Sequence, residues 1–483
     1  MQNRAIAYAA CVCGLLLFLS PVIGAQQLIT GAPLRIPPIL EESSVAGSTT
    51  DTGNESAAEN ERVFDLTVNE GSREFVRGVQ SPTLGYNGEY LGPTIRVRRE
   101  DNVRLRVFNS LGEATTVHWH GAHLPAEADG GPHQRVPAGE TWEARFRVEQ
   151  EAATLWYHPH LKGTTAEQVY QGLAGMFIID DEHSDSLALP HDYGTDDIPL
   201  ILQERRFTRD GRIDYSPRMP DIMRGYFGNA LLTNGAAEPN LEVSQELLRL
   251  RVLNGSNSSL LRLFVDNGMK MHQIATDGGL LSRPTEVEQV VLSPGERAEI
   301  VLDLRGLEGT HPRLMAESNG GNTYDALTLQ VAQSLQQSEE LSATLVSRKT
   351  PSDTNVVRTR DFVMSSMGPG GRLTINGRTM DMSRIDEQVK LGTTEVWRIS
   401  SRGMMMAMPH NFHVHGLQFE ILSINGDRPP VHLRGPKDTV LLYPGDTVEI
   451  LLEFEDYTGV FMYHCHLLEH EDEGMMGQFE VLP

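Results

Sequence analysis

Cysteine is nearly absent from this chain of 483 residues: there are three, and Cys11 and Cys13 fall in an apolar N-terminal run. If that run is removed on export, Cys465 is the one remaining thiol. It cannot form an intramolecular bridge, so stability must come from a buried core. Positive charge is also scarce, with 41 Lys and Arg against 65 Asp and Glu and a formal net charge of −24, which argues against nucleic acid as a partner. Long apolar runs are missing beyond the N-terminus, so no other segment is expected to span a membrane.

What is present begins with Arg4, an apolar stretch over residues 5–19, then Pro21 and the small Gly24 and Ala25. This pattern reads as a signal peptide over residues 1–25 and places the mature chain in the periplasm or outside the cell. A retained anchor is the alternative, but the run is short and broken by Pro21, so no stable membrane insertion is expected after cleavage. The stretch "EESSVAGSTTDTGNESAAENER" is polar and without apolar periodicity, and residues 26–62 read as a flexible linker.

From Val63 onward the chain repeats itself loosely. "TIRVRREDNVRLRVFNS", "NLEVSQELLRLRVLNGS" and "VKLGTTEVWRIS" alternate apolar and polar residues, and each is followed by an echo, "VPAGETWEARFRV", "LSPGERAEIVLDL" and "LYPGDTVEILLEF". Period-2 alternation with Gly-containing turns predicts short strands. Three copies predict an all-β chain of three sandwiches, over residues 63–183, 184–345 and 346–483.

Seventeen histidines are present, and His-X-His occurs four times: His118 and His120, His158 and His160, His413 and His415, His464 and His466. Residues two apart on a strand share a face, so each pair can offer two imidazoles to one place. Imidazole alone does not choose between copper, zinc and iron. In His464-Cys465-His466 the sulfur must point away from the shared face, toward a second site that His410, His470 and Met475 can complete. Two imidazoles, a thiolate and a weak thioether are the donors of a blue-copper electron-transfer site. Seven other histidines, His123, His133, His183, His191, His272, His311 and His432, lack paired spacing and read as surface or structural.

These motifs, together with "DGGPH", "QGLAGMFIIDDE", "LLTNG", "DGGLL" and "HCHLLEHEDEGMM", resemble those of the multicopper oxidases, most closely the bacterial copper-efflux oxidases and bacterial laccases. The resemblance implies three cupredoxin-like Greek-key domains and four copper ions. His410, Cys465, His470 and Met475 would bind type 1 copper, and His118 and His413 type 2. His120, His158, His160, His415, His464 and His466 would bind the type 3 pair. Dioxygen would be reduced to water with electrons from a small reductant, Cu(I), a phenol or an aromatic amine, as in copper tolerance. Glu471 and Asp129 would relay protons, and a monomer is expected.

Met364, Met367, Met406 and Met408 are candidate sites for substrate Cu(I), because thioethers favour that ion, although methionine also fills packing gaps. Two departures weaken a cuprous assignment: the long Met- and His-rich insertion of the copper-efflux oxidases is missing, and Met406 stands where they carry aspartate. Losing the insertion predicts easier access for bulky phenols. Arg4 is the only arginine of the signal, where these oxidases often carry a twin-arginine motif, and this predicts export before folding and copper loading. The main alternative is a copper-free scaffold of the cell envelope; a copper nitrite reductase ranks behind it.

Overall fold

The computed structural model of the chain describes residues 28–43, 61–348, 355–366, 368–402 and 408–483. The expected signal segment, residues 1–25, lies outside them. Strands dominate, and the alternation read from sequence decides which side chains enter the core. In Asn102–Asn109, for example, Val103, Leu105 and Val107 are buried while Arg104 and Arg106 turn outward, as a one-sided strand requires.

The described strands form three pairs of sheets. In the first sandwich, Val79–Tyr86, Glu61–Val76, Asn102–Asn109 and Thr141–Arg147 make one sheet; Ile95–Arg98, Gly175–Asp180, Ala153–His158 and His118–His120 make the other. They enclose a core that includes Phe64, Leu105, Trp119 and Phe177. The second sandwich pairs a seven-stranded with a five-stranded sheet, and the third pairs two five-stranded sheets. The strands are not antiparallel throughout. Glu61–Val76 runs parallel to Asn102–Asn109, and Val356–Ser365 parallel to Thr393–Arg402, because a Greek-key connection carries a strand back to lie beside an earlier one.

The N-terminal linker expectation needs correction for residues 28–43. Ile29 N donates to Phe75 O at 2.9 Å and Leu34 N to Asn240 O at 2.7 Å, and Leu34 is buried in the core of the second sandwich. This segment straps the first two sandwiches together; its apolar Leu28, Leu34 and Ile36 outweigh the polar composition further on. The first and second sandwiches also share an apolar interface containing Phe75, Trp156, Ile201 and Leu253. Within the second, Leu247–Asn254 is buried on both faces. Its Arg249 and Arg251 are neutralised there by Asp197 and Glu299, with Arg251 also donating to Thr154 of the first sandwich. No helix among the described residues is long and apolar enough to cross a membrane.

Candidate metal centre

Strand register brings the histidine pairs together. His118 lies opposite His158, and His413 opposite His464. Three of the pairs straddle the end of a strand: His158, His413 and His464 are strand residues, while His160, His415 and His466 follow the last one. A strand end frees the second imidazole from the sheet, and here the ends of the first and third sandwiches face each other.

All eight paired imidazoles are buried, and they interleave across that boundary. His118 stacks on His415 with centroids 3.9 Å apart, and His120 on His413 at 3.8 Å. His160 Nε2 and His415 Nε2 each lie 3.0 Å from His464 Nε2, and His120 Nδ1 lies 3.3 Å from His158 Nε2. His466 sits 4.7 Å from His120 and 5.2 Å from His158, centroid to centroid.

The far sides of six of the eight rings explain these approaches. His118 Nδ1 donates to Asp129 O, His413 Nδ1 to Asp438 O, His158 Nδ1 to Pro159 O and His464 Nδ1 to Cys465 O, at 2.7–3.1 Å. His120 Nε2 donates to Asp438 Oδ1 at 3.0 Å and His415 Nδ1 to Asp129 Oδ2 at 2.8 Å. With one nitrogen carrying the proton, the other presents a lone pair inward. Lone pairs then face one another at about 3 Å, an arrangement that a shared cation relieves. His118 Nε2 and His413 Nε2 are buried and have no hydrogen-bond partner among the described residues.

Electrostatics favours the ligand form. Burial, reinforced by neighbouring imidazoles, pushes His118, His120, His158, His415, His464 and His466 well below the ordinary histidine value. Burial takes His160 down to about 3. These rings are neutral at physiological pH, the state that binds metal.

The second site lies in the third sandwich alone. Cys465 Sγ is 3.6 Å from His410 Nδ1 and 3.6 Å from His470 Nδ1, and all three residues are buried. Met475, also buried, is drawn in by the short helix Leu468–Asp472: its N donates to His470 O at 2.9 Å and its O accepts from Cys465 N at 3.0 Å. Ser366 Oγ, 3.0 Å from His410 Nε2, orients that ring. Burial pushes the Cys465 thiol up to about 12, so a bound cation is what would ionise it. Both donor sets therefore fit a soft or borderline metal.

Sequence reasoning missed Asn411. Its Oδ1 accepts from His466 N at 2.7 Å and lies 3.7 Å from Cys465 Sγ, while its Nδ2 donates to Pro294 O at 2.7 Å. It ties both sites to the middle sandwich. Asp438 and Arg297 were missed as well. Arg297 is fully buried; it donates from Nη1 and Nη2 to Asp438 at 2.9 and 2.6 Å and gives its remaining donors to the carbonyls of Thr154, Gly295 and Asp277. Burial alone would raise the Asp438 carboxyl, but Arg297 and His120 hold it well below the usual range. The second sandwich thus offers no paired histidine yet clamps the carboxylate that orients His120. Neither residue carries a motif, and only proximity reveals the pair.

The two expected relay carboxylates touch the cluster. Glu471 has Oε1 3.3 Å from His160 Nδ1 and Oε2 3.3 Å from His464 Nδ1; burial pushes it well above the usual range. Asp129, bonded to His415, is pushed up to about 8 by burial.

A cleft of about 460 Å³ opens beside His410, lined by Met408, Pro409, Phe227, Leu260, Val291 and Tyr443 among others. Met223, from the helix Met219–Arg224, packs with Met408 against the third core, a thioether the sequence reading overlooked. Met364 is a correction: it is wholly buried in that core, leaving a substrate ion no approach, so its apolar packing role wins. Met367 and Met406 lie outside the described residues. Among the unpaired histidines, His123 bridges Gly416 O and Asp456 at 2.7 and 2.8 Å, and His183 donates to Leu345 O at 2.6 Å, both structural roles.

Residues 67–184 and 347–483 match two family models, each described as multicopper oxidase. The chain is 38% identical over 419 residues to multicopper oxidase mco of Staphylococcus haemolyticus, covering 86% of this chain and 88% of that one. It is 33% identical over 490 residues to cell division protein FtsP of Photorhabdus laumondii, covering 96% and 97%. A solved bacterial laccase-like multicopper oxidase, CueO from Ochrobactrum sp., described with oxidase activity towards lignin model compounds and lignosulfonate, superposes with a TM-score of 0.83 at 35% identity, over 93% of this chain and 100% of that one.

Proposed function

The chain belongs to the multicopper oxidase family, and from that premise we propose that it oxidises a small reductant one electron at a time beside His410 and reduces dioxygen to water at the eight-histidine cluster. The observation that carries this reading is the tripeptide His464-Cys465-His466, whose sulfur joins one donor set while both imidazoles join the other. Copper, when bound, supplies the one-electron redox chemistry and the binding of dioxygen.

His410, Cys465, His470 and Met475 would hold type 1 copper. His118 and His413, whose unpartnered Nε2 atoms turn inward, would hold type 2. The type 3 pair would divide between His160, His415 and His464, whose nitrogens converge, and His120, His158 and His466. Cys465 is bonded to a cluster residue on each side, so electrons leaving its sulfur have a covalent path of one residue either way. Glu471 and Asp129, each against cluster imidazoles, would deliver the protons that water formation consumes.

The cleft beside His410 sets Phe227, Leu260, Val291 and Tyr443 among Arg224, Arg262 and Glu317, and its apolar and aromatic part suits the ring of a phenol; Met408 on its wall suits Cu(I). Both reductant classes are therefore proposed, in an exported monomer with a place in copper tolerance. A scaffold without copper is the second reading, favoured by likeness to proteins named for cell division; it gives no reason to keep every donor buried and oriented.

The test is to purify the mature protein, load it with copper, count the metal and follow oxygen uptake with a phenol and with Cu(I). About four coppers, an intense blue band and uptake support the oxidase. A chain with neither band nor uptake is the scaffold.

A further inference from the structure

Away from the histidines, the charge balance of the chain is inverted in a cavity of about 380 Å³ between the second and third sandwiches. Its walls come from the strands Gly279–Val287 and Phe419–Ile424 and the short helix Val431–Leu433 with its flanks. Arg283, Arg348, Arg428 and Arg434 line it against one carboxylate, Glu420, in a chain where acidic residues outnumber basic ones by 65 to 41.

Arg348 is committed elsewhere, to Leu280 O at 2.8 Å and Glu151 Oε2 at 3.0 Å. The other three are not. Among the described residues Arg283 and Arg428 have no ion-pair partner, and Arg434 donates Nε to Pro429 O at 2.7 Å but meets no carboxylate. Burial, with the Arg428 guanidinium nearby, lowers Arg434 below the ordinary arginine value. The floor differs from the walls: Leu281 and Ile421 are buried and apolar, and Pro429 and Val431 add to them.

Unpaired guanidiniums present planar forks of donors suited to an oxyanion, and an apolar floor beneath them offers burial to a carbon body. Small-molecule sites commonly have this make-up and commonly lie between domains. None of these lining residues lines the cleft beside His410, so occupancy here does not depend on the oxidase reading. We propose that the cavity binds an amphipathic organic anion, an aromatic body bearing a carboxylate or sulfonate.

The test is calorimetric titration of the full copper-loaded protein with naphthalene-2-sulfonate and with 2-naphthoate, beside inorganic sulfate and neutral naphthalene-2-sulfonamide. Saturable binding of either acid at one per chain is expected, and which acid binds names the headgroup. In Arg428→Ala/Arg434→Ala the affinity should fall at least tenfold with copper content and melting temperature unchanged. Glu420→Gln, which removes the lone negative charge, should tighten binding several-fold, a gain that misfolding cannot imitate. Absence of saturable binding, equal affinity for the sulfonamide or for sulfate, or acid affinity indifferent to these substitutions would overturn the proposal.

Discussion

The two donor sets are built in opposite ways. The sulfur site takes every candidate ligand from the third sandwich, and three of the four fall within residues 465–475. The histidine cluster takes four imidazoles from the first sandwich and four from the third, and relies on Arg297 of the second to clamp the carboxylate behind His120. One site draws all its donors from a single domain, which its neighbours only buttress through Asn411 and the helix Leu468–Asp472. The other exists only if three domains dock correctly, so damage at the interfaces should separate the two.

Cys465→Ser is the severest test. It should remove the blue band and oxidation of both reductants while leaving the cluster's metal, so that copper falls by about one per chain; retained turnover would refute the sulfur site. Arg297→Met attacks the other arm. Leaving Asp438 buried without its guanidinium partner costs about 3–5 kcal/mol, and the expected outcome is a lower melting temperature and loss of cluster copper with the blue band kept. Arg297→Lys should restore part of each. Loss of the blue band in step with cluster metal would show that the sites are not independent.

Acid probes the interface differently. Burial would raise the Glu299 carboxyl, but Arg249 and Arg251 pull it down to about 2. A carboxyl depressed in the folded state contributes stability above its unfolded value, and that contribution is lost as pH falls from roughly 4.3 toward 2. The loss is about 3 kcal/mol. Melting temperatures of the metal-free protein across that window should fall steeply, and in Glu299→Gln should start lower but change less.

Within the cluster, Glu471→Gln with full copper loading should slow oxygen uptake by ~100-fold, and Asp129→Asn should act in the same direction. Rates unchanged in both would remove the carboxylates from proton delivery. The smallest effect is expected at the mouth of the local site. Met408→Ala should raise the KM for Cu(I) by about threefold, within the range of one lost weak contact, and leave the phenol KM nearly unaltered.

Much of this was legible in the chain because strands alternate and His-X-His recurs four times. Period-2 patterning anticipated the buried Val103, Leu105 and Val107, and His-X-His spacing anticipated which imidazoles share a face. Proximity in sequence and donor chemistry offered His410 and His470 as partners of Cys465, and the structure holds an Nδ1 of each 3.6 Å from the sulfur. Met364 misled because a thioether looks the same in sequence whether it faces solvent or a core. Residues 28–43 misled because a strap's backbone bonds leave no residue pattern.

Sequence alone supplied the candidate donors, and with them the expectation that Cys465 faces away from its neighbouring histidines, which alternation along an extended segment gives. Tertiary structure decided everything that needs two strands distant in the chain. It brought the histidine pairs together, docked Arg297 on Asp438 and Asp438 on His120, and gathered the unpaired arginines around one cavity. The contacts of Asp438 with Arg297 and His120 join residues more than 100 positions apart, and nothing in the local pattern of one partner specifies the other.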